Sequence, residues 1–388
     1  MCDILDFLMS VPNVEVVSAV TGESIAVFEH EEFADASVKA LKQRLAQQIG
    51  VPRFRLRLLQ DNSLLDDDQT LAPGVVQLVR MEFLPPDMEQ DGEIMVACRQ
   101  NHEKMLEQKL NQPRSPNFED ANAKTPLFVA ASNGSLNCVM LLLEAGANKD
   151  QGRTDTGATP LHTAAHRGHL EVVRFLVESG ANKDQGTTDD GTTPLYAAAE
   201  KGHLEVVRFL VESGSNKDQG RTDTGATSLF IAARKGHVEV VRCLVESGAN
   251  KDQARRDDGM TPLFTAAHKG HVQVVRFLLE SGANKDQGKT DDGATPLFIA
   301  AHRGHLEVVR LLVESGANKD QCTTDDGTTP LCMAAQEGHL EVVRFLVESG
   351  ANKDECTAND GATPLYAAAQ DGHLQVVRFL VEIGRAHV

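Results

Sequence analysis

The chain is poor in the residues that build several common kinds of binding site. It contains no Trp, only two Tyr (Tyr196 and Tyr366) and 4% aromatic residues in all, so few rings are present on which nucleic-acid bases could stack. Its 56 acidic residues outnumber 38 Lys and Arg, and the resulting net charge of −18 repels a phosphate backbone. We therefore expect no nucleic-acid partner.

Long apolar segments and secretion signals are also missing from the sequence. It has no run of the roughly 18 apolar residues that a membrane span requires. Acids stand at Asp3 and Asp6, where a signal peptide carries Lys or Arg. Seven cysteines, an odd number without a Cys-x-x-Cys pair, are not typical of a disulfide framework. These absences predict a protein of the cytoplasm or nucleus that does not associate with membranes.

What the sequence does contain is a repeat. The pattern Thr-Pro-Leu recurs every 34 residues from Thr125 to Thr363, and the copy Thr227-Ser228-Leu229 lacks the proline. Each unit predicts two helices. In one unit Thr159 caps the first helix, Pro160 fits its first position and Gly168 ends it. The second helix is apolar on most sides, so its burial requires a neighbouring unit and predicts a stacked array.

The motif Thr-Pro-Leu-His…Ala-Ala-x-x-Gly-His-x-x-Val-Val…Gly-Ala resembles the ankyrin repeat, in eight copies over residues 121–382. Residues 84–120 resemble a linker and a degenerate capping repeat, with a plain linker helix as the alternative. The resemblance implies a mostly α solenoid of helix-turn-helix repeats with finger loops and a concave groove. One departure concerns the His of Thr-Pro-Leu-His, which occurs only at His162 and is elsewhere replaced by Phe, Tyr or Cys.

The copies differ mainly where the resemblance places the groove floor and the finger tips. The floor residues are His166, Arg167, Glu200, Lys201, Arg234, Lys235, His268, Lys269, His302, Arg303, Gln336 and Glu337. The tip residues are Asp189, Asp190, Arg255, Arg256, Asp291 and Asp292. The floor is basic through five repeats and then acidic, so we expect a protein partner with an acidic segment. Drift at solvated positions is the alternative.

Residues 13–83 do not repeat and predict a small α+β domain with a β-hairpin, a helix capped by Ser37 and two later strands. Gly50-Val51-Pro52, Arg57-Leu58-Leu59 and the segment 65–71 resemble the ubiquitin-like (β-grasp) family. The resemblance implies an apolar recognition patch at Val20, Leu59 and Val79 and partners in the ubiquitin-reading or proteasomal machinery. The alternative is that these three residues belong to the core. No Gly-Gly pair for conjugation follows Arg80.

No pattern in the sequence predicts an active site, a cofactor or a metal ion. His162, His166 and His169 have a spacing that metal ligands on a helix could have, but the last belongs to the Gly-His pair found in seven of the eight repeats. Phosphate-binding loops and nucleophile motifs are absent. We therefore predict a non-enzymatic, monomeric interaction scaffold or adaptor. The alternative is a regulatory fragment of a larger enzyme, such as a ligase or kinase.

The two ends of the chain depart from this pattern. Residues 1–12 are predicted to form a tail. After Glu382 the repeat breaks off, and residues 383–388 match what a common sequencing adapter encodes in one reading frame. We interpret this hexapeptide as an artefact, in which case the array lacks its C-terminal cap.

Overall fold

Two strands, a helix and three further strands are followed by a long series of short helices. The computed structural model describes residues 13–29, 37–84, 87–112, 114–354 and 362–385. The strands are β1 (Asn13–Ser18), β2 (Ser24–Glu29), β3 (Leu56–Gln60), β4 (Ser63–Leu64) and β5 (Gly74–Arg80). The helices before the repeats are α1 (Val38–Ile49), α2 (Met88–Gln100) and α3 (Glu103–Leu110), and a 3-10 turn covers Arg53–Arg55.

The repeats each contribute one helix pair. The first helices of the pairs are α4 (Pro126–Ser132), α6 (Pro160–Arg167), α8 (Pro194–Lys201), α10 (Ser228–Lys235), α12 (Pro262–Lys269), α14 (Pro296–His302), α16 (Pro330–Gln336) and α18 (Pro364–Gln370). The second helices are α5 (Leu136–Glu144), α7 (Leu170–Glu178), α9 (Leu204–Glu212), α11 (Val238–Glu246), α13 (Val272–Glu280), α15 (Leu306–Glu314), α17 (Leu340–Glu348) and α19 (Leu374–Arg385).

The chain divides into two compact units, residues 1–155 and 156–388. The boundary falls between the first and second repeats, whereas the sequence analysis placed boundaries after residues 83 and 120. The predicted tail, residues 1–12, lies outside the described residues, as do residues 386–388 of the suspected adapter segment. Residues 383–385 continue α19.

The sheet of the first unit has the strand order β2-β1-β5-β3-β4. Strands β1 and β5 are parallel, and the other neighbouring pairs are antiparallel. Alternating residues of these strands point towards α1, which Ser37 caps through its Oγ at 3.4 Å from the Ala40 amide. The core between sheet and helix is formed by Val14, Val16, Phe28, Val38, Leu41, Leu45, Val51, Leu56, Leu58, Leu71, Val76 and Leu78.

A buried arginine joins this sheet region to the helices of the same unit. The Arg53 side chain is 2% exposed, and its Nε donates to Glu144 Oε2 at 2.6 Å. Its Nη2 donates to Glu107 Oε1 at 2.8 Å, and its Nη1 lies 3.3 Å from Asp67 Oδ2. Lys39 also pairs with Glu107, at 2.6 Å. We call Arg53, Asp67, Glu107 and Glu144 the Arg53 junction. It fixes the sheet region against α3 and α5.

The helix pairs form for the local reasons that the sequence indicates. In α6 the Thr159 hydroxyl accepts the His162 amide at 3.1 Å, and Gly168 ends the helix at φ 78°, in the left-handed region. In the second unit each first helix packs on the next, from α6 to α18. We call the contact between two consecutive first helices a seam. The leucine after the proline is buried in it, since Leu161, Leu263 and Leu297 are at most 1% exposed.

Candidate protein-binding groove

One exposed cation per repeat forms a row at the ends of five consecutive first helices. Each of these residues directly precedes the glycine at the helix end, and each is exposed. We call this set the floor row: Arg167, Lys201, Lys235, Lys269 and Arg303. In the next two repeats the same position holds Glu337 and Asp371, which are also exposed. The predicted change from a basic to an acidic floor is therefore a change along one surface row.

Backbone contacts hold the ends of these helices in register. His203 Nε2 lies 3.1 Å from the His166 carbonyl oxygen, and His271 Nε2 lies 3.0 Å from that of Arg234. The same contact recurs at 3.2 Å between His305 and His268. The Gly-His histidines therefore tie consecutive repeats together directly beneath the floor.

Most of the floor cations have no acidic partner. Glu200 lies 3.9 Å from both Lys201 and Lys235. Arg167, Arg234, Lys269 and Arg303 make no ion pair in the part of the chain that the structure describes. At the acidic end, His302 Nε2 lies 3.8 Å from Glu337 Oε1, while Gln336 is exposed beside it.

The floor histidines respond to this excess of positive charge. Burial lowers the pKa of His268, and the positive charges of Arg303 and Lys269 lower it further. Burial likewise lowers the pKa of His166, with Lys201 adding to the effect. Burial and the neighbouring cations thus both disfavour the charged form of His166 and His268.

The cations of the finger loops, by contrast, are engaged within the protein. Arg221 lies 2.9 Å from Asp190 of the preceding finger and 2.6 Å from Asp223 of its own. Lys289 lies 3.1 Å from both Asp291 and Asp292. The predicted tip acids other than Asp189 are therefore largely neutralised, and Asp189 Oδ1 accepts the Asp190 amide at 2.9 Å.

The tip arginines stabilise the fingers. Arg255 pairs with Asp257 and lies 3.5 Å from Asp258. Arg256 Nη2 donates to the carbonyl oxygens of Arg221 and Thr222, at 2.9 and 3.0 Å. Arg256 thus bridges neighbouring fingers, whereas Arg255 pairs within its own finger, and sequence analysis missed both roles.

Aromatic residues in place of the missing histidine explain where the finger arginines lie. The Arg221 guanidinium carbon is 5.9 Å from the centre of the Tyr196 ring, and that of Arg255 is 5.4 Å from the Phe230 ring. One repeat earlier, His162 stands at the position of Tyr196 and Thr187 at that of Arg221. The His162 Nε2 is buried without a hydrogen-bond partner within the described residues. Burial lowers the pKa of His162 to about 4. The sequence did carry a signal for this contact. In several repeats an Arg follows an aromatic residue by 25 positions, as Arg221 follows Tyr196.

The predicted sheet patch lies in the first unit. Val20 is 93% exposed in the turn after β1. Leu59 and Val79 are half-buried on the neighbouring strands β3 and β5, on the sheet face opposite the core. None of the three belongs to the core cluster. The apolar surface continues across the same face through Val27, Val75 and Leu64.

Two absences among the described residues bear on function. None of the helices in this part of the chain has both the length and the hydrophobicity of a membrane span. Within the same ranges, no group of His, Cys, Asp or Glu residues is placed to hold a metal ion.

The repeats match a known family. A family model for ankyrin repeats in three copies matches residues 94–187, 181–255, 249–321 and 316–388, which is more than half of the chain. The chain belongs to the ankyrin-repeat proteins, a family whose repeats support protein–protein interaction. The model begins at residue 94 and does not include the sheet region.

A stretch of this chain is also similar to part of a plant channel. It is 36% identical over 83 residues to the potassium channel AKT1 of Arabidopsis thaliana. The match covers 21% of this chain and 8% of the channel, so the chain spans a small part of that relative's length.

Proposed function

We propose that the protein is a non-enzymatic scaffold whose groove binds a partner protein through an acidic segment. The observation that carries this proposal is the floor row, in which five exposed cations occupy one position of five consecutive repeats. The finger cations, such as Arg221 and Lys289, are satisfied internally, whereas Arg167, Lys269 and Arg303 make no ion pair within the described ranges. This positive charge would speed the association of an acidic segment with the floor and would fix the register in which the segment binds.

The second helices of the pairs, which we call the outer helices, carry charges that do not attract the same partner. In α9 and α11 each Arg is accompanied by two Glu, and Arg242 lies 3.9 Å from both Glu239 and Glu246. The two faces of the array thus differ in charge. An acidic partner is attracted to the floor and not to the outer helices.

Charge reversal of the floor tests this proposal. The triple variant Arg234→Glu, Lys235→Glu, Lys269→Glu should abolish proximity labelling of the principal partners by the full chain and remove the salt dependence of their binding. The matched control Arg208→Glu, Arg242→Glu, Arg276→Glu makes the same charge change on α9, α11 and α13 and should leave the labelling unchanged. Equal loss in both variants, or no loss in either, would exclude the floor as the binding surface.

For the sheet region we propose a ubiquitin-like adaptor that contacts ubiquitin-reading or proteasomal proteins. The parallel pairing of β1 with β5 and the single helix after the β1–β2 hairpin support a β-grasp fold. The exposure of Val20 in the turn after β1, and the partial exposure of Leu59 and Val79 on the face opposite the core, support the patch. Such an adaptor is expected in the cytoplasm or nucleus and as a monomer. The alternative, a regulatory part of a ligase or kinase, requires a catalytic domain in the complete transcript.

Titration with an isolated ubiquitin-reading domain tests the adaptor proposal. Leu59→Ala should weaken binding to the full chain, whereas Val27→Ala, on the same face but on β2, should not. Both variants must first show unchanged thermal unfolding. Absence of binding by the unsubstituted chain, or equal loss with both variants, would exclude the patch.

A further inference from the structure

The floor row has a fixed pitch. Its members end the consecutive helices α6, α8, α10, α12 and α14, which pack side by side, and packed helices lie about 8–10 Å apart. The histidine contacts to the preceding carbonyl oxygens, at 3.0–3.2 Å, prevent the helix ends from sliding. Five cations are therefore spaced at about 9 Å over about 36 Å.

This pitch matches one common conformation of a peptide. A polyproline II helix rises about 3.1 Å per residue and has three residues per turn, so every third side chain lies on the same face, about 9.3 Å apart. In a β-strand the side chains at positions i and i+3 point to opposite faces, so an extended strand cannot place them all on the floor. An α-helix returns a side chain to the same face at every seventh residue, about 10.5 Å apart, so it needs about 29 residues to present five of them to the row.

We propose that the groove recognises an acidic segment in the polyproline II conformation, with one carboxylate at every third residue, each paired with one cation of the floor row. This inference rests on the proposed scaffold function and specifies the partner. Self-repulsion keeps an acidic segment extended before it binds, which favours this conformation over a helix.

The acidic end of the floor sets where the segment stops. Glu337 and Asp371 occupy the row position in the next two repeats and repel a further carboxylate. These acids also show that the cations are not required for helix formation, although a cation in the last turn does favour a helix. Helices α16 and α18 form with an acid following their last residue.

Synthetic peptides that each carry five Glu residues, at different spacings along the peptide, test the proposal on the full chain. The first peptide carries five Glu at every third residue in a Pro, Ala and Ser background. The second carries them at every second residue, the third carries them contiguously, and a longer helical peptide carries them at every seventh. Fluorescence anisotropy should show binding at least ten-fold tighter for the first than for the others.

Single substitutions should then map the contact. Lys235→Ala and Lys269→Ala should each weaken binding of the first peptide about five-fold, because an ion pair at 4 Å in water contributes about 1 kcal/mol. The control Arg276→Ala removes an exposed cation from the outer helix α13 and should have no effect. Binding should also raise the pKa of His268 in an NMR titration, since a carboxylate beside it offsets the charges of Arg303 and Lys269.

The outcomes separate this inference from the proposed function. Equal affinity for all four peptides, or tightest binding of the helical one, overturns the spacing proposal but leaves an acid-binding floor. Absence of peptide binding, or tighter binding of a single-stranded oligonucleotide, also overturns it. The proposed binding through the floor fails if the triple charge reversal leaves the labelled partners unchanged, or if the control reversal on the outer helices causes an equal loss.

Discussion

The sheet region of the first unit and the array of the second unit are stabilised in different ways. The sheet region has one closed core between the β-strands and α1, and the buried cation Arg53 contacts three carboxylates. The array repeats the same small set of contacts every 34 residues, with a buried leucine in each seam. Loss of one group should therefore affect the whole sheet region, whereas a loss in the array should remain local.

The largest expected effect is at the Arg53 junction. Arg53→Ala should lower the free energy of unfolding of the first unit by about 3–5 kcal/mol, because it removes a buried side chain that bridges three carboxylates and takes from Glu144 its ion pair. Denaturant unfolding of the full chain, followed with a probe in the sheet region, measures the change. The exposed cation Lys104 on α3 provides the control, and Lys104→Ala should change stability by less than about 0.5 kcal/mol. An equal effect of both substitutions would contradict the junction's role.

The second-largest expected loss of stability is at a buried leucine of the array, which can be compared with its exposed equivalent in another repeat. Leu297 is 1% exposed and Leu365 is 37% exposed, although both follow the proline of their repeat. Leu297→Ala should cost about 2–5 kcal/mol and Leu365→Ala clearly less, since only the first leaves a closed cavity. Hydrogen exchange should show the loss for Leu297→Ala mainly in α14 and its neighbours. A uniform loss of protection over the whole array would show that the repeats unfold as one cooperative body.

The seam before the fourth repeat should be weaker than the others. Ser215 and Ser228 are 2% and 1% exposed, and neither hydroxyl has a hydrogen-bond partner within the described residues. Other copies carry Ala and Pro there. Ser215→Ala should raise stability by about 1 kcal/mol, and Ser228→Pro by up to about 1 kcal/mol. In the unsubstituted chain, α10 should exchange its amide hydrogens faster than α12, and slower exchange in α10 would refute the weak seam.

The smallest expected effect is on the outer helices. The Arg242 guanidinium carbon lies 4.5 Å from the centre of the Phe277 ring, while one repeat further on Leu311 replaces the aromatic residue. A double-mutant cycle with Arg242→Ala and Phe277→Leu should give a coupling free energy of about 0.5–1 kcal/mol. The same cycle with Arg276→Ala and Leu311→Ala should give a smaller one, and equal couplings would argue against a specific cation–ring contact.

Local signals in the sequence were sufficient for the repeats. The cap at Thr159 and the left-handed glycine at Gly168 depend on residues within one turn of the helix, so they are readable without the fold. The row position of the floor cations followed from the period of 34 residues. Strand β4 was missed because two residues, Ser63 and Leu64, carry no periodic pattern.

Long-range ion pairs were beyond the reach of the sequence analysis. Arg53 is 54 residues from Glu107 and 91 residues from Glu144, and nothing local marks any of the three as buried. The finger contacts were missed for a related reason. Arg255 and Arg256 are adjacent to acids and were expected at an exposed tip, whereas one lies over Phe230 and the other contacts the preceding finger.

The matching of finger arginines to aromatic rings has a consequence for folding. Helices α7, α9 and α17 have the same sequence, LEVVRFLVE, so a chain that skips one unit during folding would lose almost nothing in its helix contacts. The fingers are not interchangeable in this way. A slip of one unit would align Arg221 with His162 in place of Tyr196, and the misaligned chain would lack the cation–ring contact. The small differences between copies thus favour the native alignment of the repeats over its shifted versions.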